Sequence, residues 1–283
     1  MSLRTRLTPL TITIKTLKWL CIMLICFFSL FPVAWCLSTS FKPEAIIYRT
    51  PPEWIPRPPT LGNYAQILIN KDMGRYFFNT LILSIGTAVI TMFVSILAGY
   101  GFSRYRFTGS KFLIWTILFA RILPRVAVII PFYIILRNLK LINTYPGLIL
   151  IYLTICLPVA VWMLKGYFDN LPIEIEEAAI IDGCSPFTML IKIILPMSGP
   201  IVVTVAMNAF ILSWNEFLFA LTMTNGKAIR PIAVGLAYFI DEMGVRWGPL
   251  MAASVLMSIP AVLFFAYAQG KMVKGLSAGA VKG

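Results

Sequence analysis

Five uncharged apolar runs dictate the solvent in which this chain folds. They are Trp19–Phe41, Tyr76–Ser103, Leu141–Leu164, Ile193–Asn215 and Trp247–Gly270, of 23, 28, 24, 23 and 24 residues. A helix needs about 20 residues to cross ~30 Å of hydrocarbon, so each run is long enough to span a bilayer. Composition agrees: 59% of residues are hydrophobic and 12% charged, and the mean hydropathy is +0.85, well outside the range of soluble domains. A further span is predicted over Phe112–Leu136, which is apolar and long enough but carries Arg121 and Arg125. Without it the span over Leu141–Leu164 would run the wrong way, and the polar segment after it would not share a side with the N-terminus. The expected fold class is therefore all-α, a polytopic membrane protein with six transmembrane helices.

Charge sets the orientation. The net charge of +13 would suggest a nucleic-acid partner in a soluble protein, but the 24 basic residues are scattered through short loops and tails, so no nucleic acid is predicted. Arg4, Arg6, Lys15 and Lys18 precede the first span, Arg104, Arg106 and Lys111 fill the second-to-third connection, and Lys271, Lys274 and Lys282 lie in the tail. All fall on one side, which the bias of short cytoplasmic flanks toward Lys and Arg assigns to the cytoplasm. The organisation expected is a cytoplasmic N-terminus (1–18), a first span with a Pro-rich external loop (19–75), a core of five spans (76–270) and a cytoplasmic tail (271–283). The uncharged N-terminal run is too long for a signal peptide and lacks a small-residue cleavage site, so it reads as an uncleaved span. The five cysteines form no paired motif and histidine is absent, so neither a metal site nor a cofactor is predicted.

One polar-to-amphipathic insert, Glu174–Pro196, separates two apolar runs of the second half. Asn170, Leu171 and Pro172 read as a helix start, and Glu174, Glu176 and Glu177 fill the first turn, where the positive end of the helix dipole favours carboxylates. Gly183 then stops the helix. Ser185 and Pro186 restart one as N-cap and first-position proline, and Pro196 closes the segment. Glu177-Ala178-Ala179, three residues, Gly183, nine residues, then Ile193-x-Leu195-Pro196 resembles the EAA loop of binding-protein-dependent ABC importer permeases. The resemblance implies a coupling helix between the fourth and fifth spans that docks into a groove of a cytoplasmic ATPase, within a loop over 169–196. It implies roles in ATPase coupling for Glu177, Ala178, Ala179, Asp182, Gly183, Ile193, Leu195 and Pro196. It further implies a second homologous permease, two ATPase subunits and an external solute-binding protein as partners, in a cell or inner membrane.

Arg121 and Arg125 sit one helical turn apart and would share a face. At the bilayer centre each costs ~2.5–3.5 kcal/mol, so they are expected to look inward. Either they line a transport pathway, donating to hydroxyls or anions, or they pair with Glu216 or snorkel to a surface. Trp214, Asn215 and Glu216 form a second polar-aromatic cluster near the outer end of the fifth span, suited to sugar faces or to interfacial anchoring. Trp-Asn-Glu-Phe there resembles the carbohydrate-uptake branch of the importer family. The serine, threonine, glycine and alanine stripe of the second span (Ser84, Ala88, Thr91, Ser95, Gly99, Ser103) reads as helix packing. Prolines 51, 52, 56, 58 and 59 make the first external loop a stiff connector before a short helix around Thr60–Leu68. The apolar run Pro231–Ile240 is too short to span and lies on the outer surface or dips toward the pathway. The tail reads as flexible.

No phosphate-binding loop or nucleophile constellation is found, so the chain is not expected to be an enzyme; energy would come from another chain. The rival class, an ion- or proton-coupled secondary transporter, would normally place carboxylates near the membrane centre, and Glu216 is the only candidate.

Overall fold

The computed structural model describes residues 9–69, 71–241 and 244–280. Arg4, Arg6 and Lys282 lie outside the described residues, as do the side chains of Lys271 and Lys274. The described residues form helices α1 (Pro9–Ser40), α2 (Glu44–Ile47), α3 (Gly62–Ile69), α4 (Lys71–Arg104), α5 (Ser110–Phe119), α6 (Arg125–Asn138), α7 (Tyr145–Asp169), α8 (Glu174–Ile181), α9 (Pro186–Met197), α10 (Gly199–Trp214), α11 (Leu218–Met223), α12 (Ile232–Ala237) and α13 (Trp247–Ala280). The one extended element among them is a two-residue antiparallel ladder, β1 (Ile240–Asp241) with β2 (Gly244–Val245), in which Ile240 faces Val245.

One compact unit holds the chain up to Ile69 together with Phe239–Leu256. Here α1 leaves Phe27 and Phe28 exposed, as a lipid-facing helix requires. The Pro-rich stretch from 48 to 61 carries no regular element, and the short helix expected after it is α3. Asn63 of α3 is buried and donates its amide to the carbonyls of Ser40 and Lys42, both at 2.9 Å. Its side chain would lie 2.6 Å from a Cβ at Gly248, so glycine alone fits there.

The other unit holds 70–238 with the chain from Met257. Its centre is α4 packed on α7 and α10. The small-residue stripe explains why: Ser84, Thr87, Thr91 and Ser95 are fully buried, and a Cβ on Gly99 would stand 3.0 Å from Leu164 Cβ and 3.1 Å from the Lys165 nitrogen. In lipid such small faces let helices approach closely enough to pack by dispersion. Two apolar clusters flank this contact. One joins Tyr100, Leu164, Phe168, Ala179, Met189 and Ile194, and the other Leu83, Leu148, Tyr152, Phe219 and Met223.

Four helices among the described residues are long and apolar enough to cross a membrane: Thr13–Ser40, Asp72–Arg104, Tyr145–Asp169 and Trp247–Tyr267. Phe112–Leu136, expected to be one continuous third span, is instead two shorter helices, α5 and α6, and neither is long enough to cross a membrane alone. Pro124 lacks an N–H and keeps Leu123 out of helical conformation; the chain turns on short bonds from Arg121 N–H to Leu118 O (3.1 Å) and Ile122 N–H to Phe119 O (2.9 Å). The fifth span is also modified. Gly199–Trp214 is bent by 84° from Pro186–Met197, so the first residues expected in it, from Ile193, belong to the other arm. A π-turn at Leu190–Ile194 precedes the bend. The fourth begins at Tyr145, capped by Thr144, and runs on past Lys165 to Asp169, where the two residues form an ion pair at 2.5 Å. The last helix continues to Ala280, through most of the segment read as a flexible tail.

Candidate functional site

The insert between α7 and α9 is built as a helical knuckle. Asn170 proves to be the end of α7, its amide donating to Gly166 O, and not the start of α8; Ile173 precedes α8 without a side-chain cap. The helix ends in a Schellman motif. Cys184 N–H donates to Ala179 O and Gly183 N–H to Ile180 O, both at 2.9 Å, with Gly183 at φ +78°. A residue with a Cβ is strained in that left-handed conformation, so the turn requires this glycine. Ser185 then caps α9, its hydroxyl accepting from Thr188 N–H at 3.3 Å, and Pro186 takes the first helical position.

The two faces of α8 differ. Glu176, 6% exposed, accepts from Arg104 Nε at 2.6 Å and from the Tyr100 hydroxyl at 2.9 Å, while the Arg104 fork also reaches Leu171 O at 3.2 Å. Ser103 donates to Asp169 Oδ1 at 2.7 Å. Ala179 is buried in the cluster with Leu164, Phe168 and Met189. Glu177, Ala178, Asp182 and Gly183 are exposed, beside Ile180, Ile181 (86% exposed) and Phe187. Ile193 and Leu195 are half-buried and Pro196 is exposed.

At the other candidate site, a cavity of about 180 Å³ is lined by Arg121, Arg125, Phe132, Thr154, Leu212 and Phe219 among others. The two arginines neither share a helix face nor turn inward as expected: Arg121 lies in the turn and Arg125 opens α6, both are exposed, and the break itself brings both to the cavity. Glu216 is not paired with either. It is buried and accepts the N–H groups of Phe219 and Ala220 at 3.0 Å each, capping α11. Trp214 is 1% exposed, with its indole N–H on Met257 O at 3.1 Å and its ring stacked on Phe210. Asn215 is exposed and donates to Ile211 O. Trp214 is thus helix packing and Glu216 a cap, and neither lines the cavity.

Residues 91–277 match the family described as binding-protein-dependent transport system inner membrane component. The chain belongs to this family. The permease is 33% identical over 95% of its length, and 94% of the relative's, to the sulfoquinovosyl glycerol transport system permease protein SmoH of Agrobacterium fabrum. It is 35% identical to the trehalose/maltose transport system permease protein MalG of Thermococcus litoralis, covering 90% and 92% of the two chains. Its fold matches a bacterial ABC transporter involved in import of the acidic polysaccharide alginate, with a TM-score of 0.81, 19% identity and coverage of 93% and 98%.

In the permease the segment after α11 packs against the start of α4. Asn79 donates to Ala228 O (3.0 Å) and Arg230 O (2.9 Å), Thr80 Oγ1 accepts from Ile232 N–H at 2.8 Å, and a Cβ on Gly235 would meet the Tyr76 ring at 2.4 Å. The run Pro231–Ile240 is therefore neither spanning nor loose: α12 lies on α4. Lys227 adds an exposed pair with Asp72 at 2.6 Å, which holds its ammonium above the usual lysine range. Sequence reasoning missed Arg104, Tyr100 and Glu176 as one network. The signal available was a tyrosine and an arginine four residues apart at the end of a span, a helical spacing that puts both on one face toward a first-turn carboxylate.

Proposed function

We propose that the permease forms half of a translocation pathway for a sugar or sugar-like solute and takes its energy from separate ATPase subunits through α8 and α9. The observation that carries the proposal is the two-faced α8. Its inner face is fixed by a buried ion pair and an apolar cluster, so the knuckle moves with α4 and α7. Its outer face presents Glu177 and small Ala178 beside Ile180, Ile181 and Phe187, an apolar surface of the kind that marks a partner site. Glu177 meets a basic group of the ATPase, Ala178 allows close approach, and Gly183 holds the turn; Ala179, Ile193 and Leu195 support the knuckle from within. ATP-driven closure of the ATPase pair pushes the knuckle, and the packed helices pivot to alternate access. A second, homologous permease supplies the other half of the pathway, and a soluble binding protein delivers the cargo from outside. The knuckle and both termini are cytoplasmic. Support for a sugar comes from the cargoes named for the relatives, and an ion-coupled mechanism has no support from the family, which is defined by its binding protein.

The proposal is tested by cysteine accessibility. With the native cysteines replaced, Ala178→Cys is expected to react with a membrane-impermeant maleimide in inside-out vesicles stripped of ATPase and to be protected when the ATPase is restored. Equal labelling in both conditions would refute the docking role.

A further inference from the structure

Two exposed arginines at a helix break in a membrane-spanning chain demand a counter-charge. Helix α5 has 10 residues and α6 has 14; read together as the third span, at 1.5 Å per residue they put the break about 15 Å from one end and about 21 Å from the other, near the bilayer centre. Irregular backbone at that depth is tolerated only where it is buried in protein or lines a watery cavity, and the cavity of about 180 Å³ is there. The guanidinium groups of Arg121 and Arg125 form no ion pair and no hydrogen bond among the described residues, whose ion pairs use Arg49, Arg104, Lys165 and Lys227. Glu216 is the carboxylate within electrostatic reach of Arg125, and it is occupied by two backbone N–H groups. The cavity wall thus carries an excess of positive charge, to which the N-terminal end of α6 adds its partial positive charge. Thr154 and Phe132 supply a hydroxyl and an aromatic face beside it.

We infer that this cavity is a midplane subsite for an anionic group on the transported solute, so that the cargo is an acidic sugar bearing a carboxylate or a similar acid. This rests on the sugar-importer reading and narrows it. Two planar donor forks bind an acid in the geometry guanidinium groups favour, and the uncharged remainder of the ring lies on Phe132 and Phe219. A neutral sugar would leave both charges unneutralised at the depth where they cost most.

The test uses the importer purified through a tag on this chain with the subunits it retains, and follows thermal unfolding against D-glucuronate and D-glucose. Glucuronate is expected to stabilise the native complex saturably, at half-saturating concentrations at least tenfold below those of glucose. Arg121→Gln and Arg125→Gln should each weaken the glucuronate response about tenfold, as loss of one charge-assisted hydrogen bond does. Arg125→Lys, which keeps the charge, should retain the preference for the acid. Equal responses to the two sugars, or a preference unchanged in both glutamine variants, would overturn the acidic subsite while leaving a sugar pathway intact. No response to either sugar would also overturn it, without touching the maleimide test of coupling.

Discussion

Glu176 and Glu177 stand side by side in one helical turn, about 100° apart around the axis, and that rotation separates a buried acid from an exposed one. Glu176 turns into the protein, where Arg104 and Tyr100 satisfy it; Glu177 faces out. Removing one member of a buried pair strands the other charge and costs ~3–5 kcal/mol, whereas an exposed carboxylate contributes within about 0.5 kcal/mol. Glu176→Ala is therefore expected to lower the thermal unfolding midpoint of the purified permease markedly and Glu177→Ala hardly at all. Equal midpoints would show that the buried pair does not hold α8. The sequence makes both acids legible as first-turn carboxylates but not which one looks inward, because that depends on where α4 ends relative to α8. Gly183 was legible in full, since a stop glycine followed by a serine-proline start has few other conformations.

At the scale of elements, apolar length located four helices long enough to span and a fifth as a bent pair, and local chemistry decided where the chain breaks. The prolines at 124 and 131 look alike in sequence, yet the first stands just before α6 at its N-cap and the second sits inside α6. Only the neighbouring turn, which α5 and the cavity accommodate, distinguishes them. Lys165 shows the reverse error of charge counting: a helix does not end at a charge that finds a partner one turn on at Asp169. The α4–α7 contact was legible as a small-residue stripe, and it gives a sharp test. A larger side chain at Gly99 must displace Leu164 or the Lys165 backbone; overpacking of this kind costs ~1–3 kcal/mol. Gly99→Leu should lower the unfolding midpoint and weaken coupled uptake together, because the same contact links the knuckle to the spans. Gly101→Leu, where a Cβ meets nothing within 4 Å, should leave both unchanged; a similar loss at Gly101 would sink the account of the stripe.

At the scale of the whole molecule, the chain is a transport component that lacks a nucleotide-binding sequence and presents an apolar, partly acidic helix face fixed to its membrane core. Family membership follows from the match over 91–277; the coupling role assigned to α8 is the account's central claim. It is tested most directly by co-purifying the ATPase with tagged native permease and with Glu177→Arg and Ile181→Asp, scoring bound ATPase and hydrolysis stimulated by the binding protein. The account predicts that native permease retains the ATPase and that both variants, though inserted and folded, lose it or lose the stimulated hydrolysis. Full retention of ATPase and stimulation by both variants would contradict it.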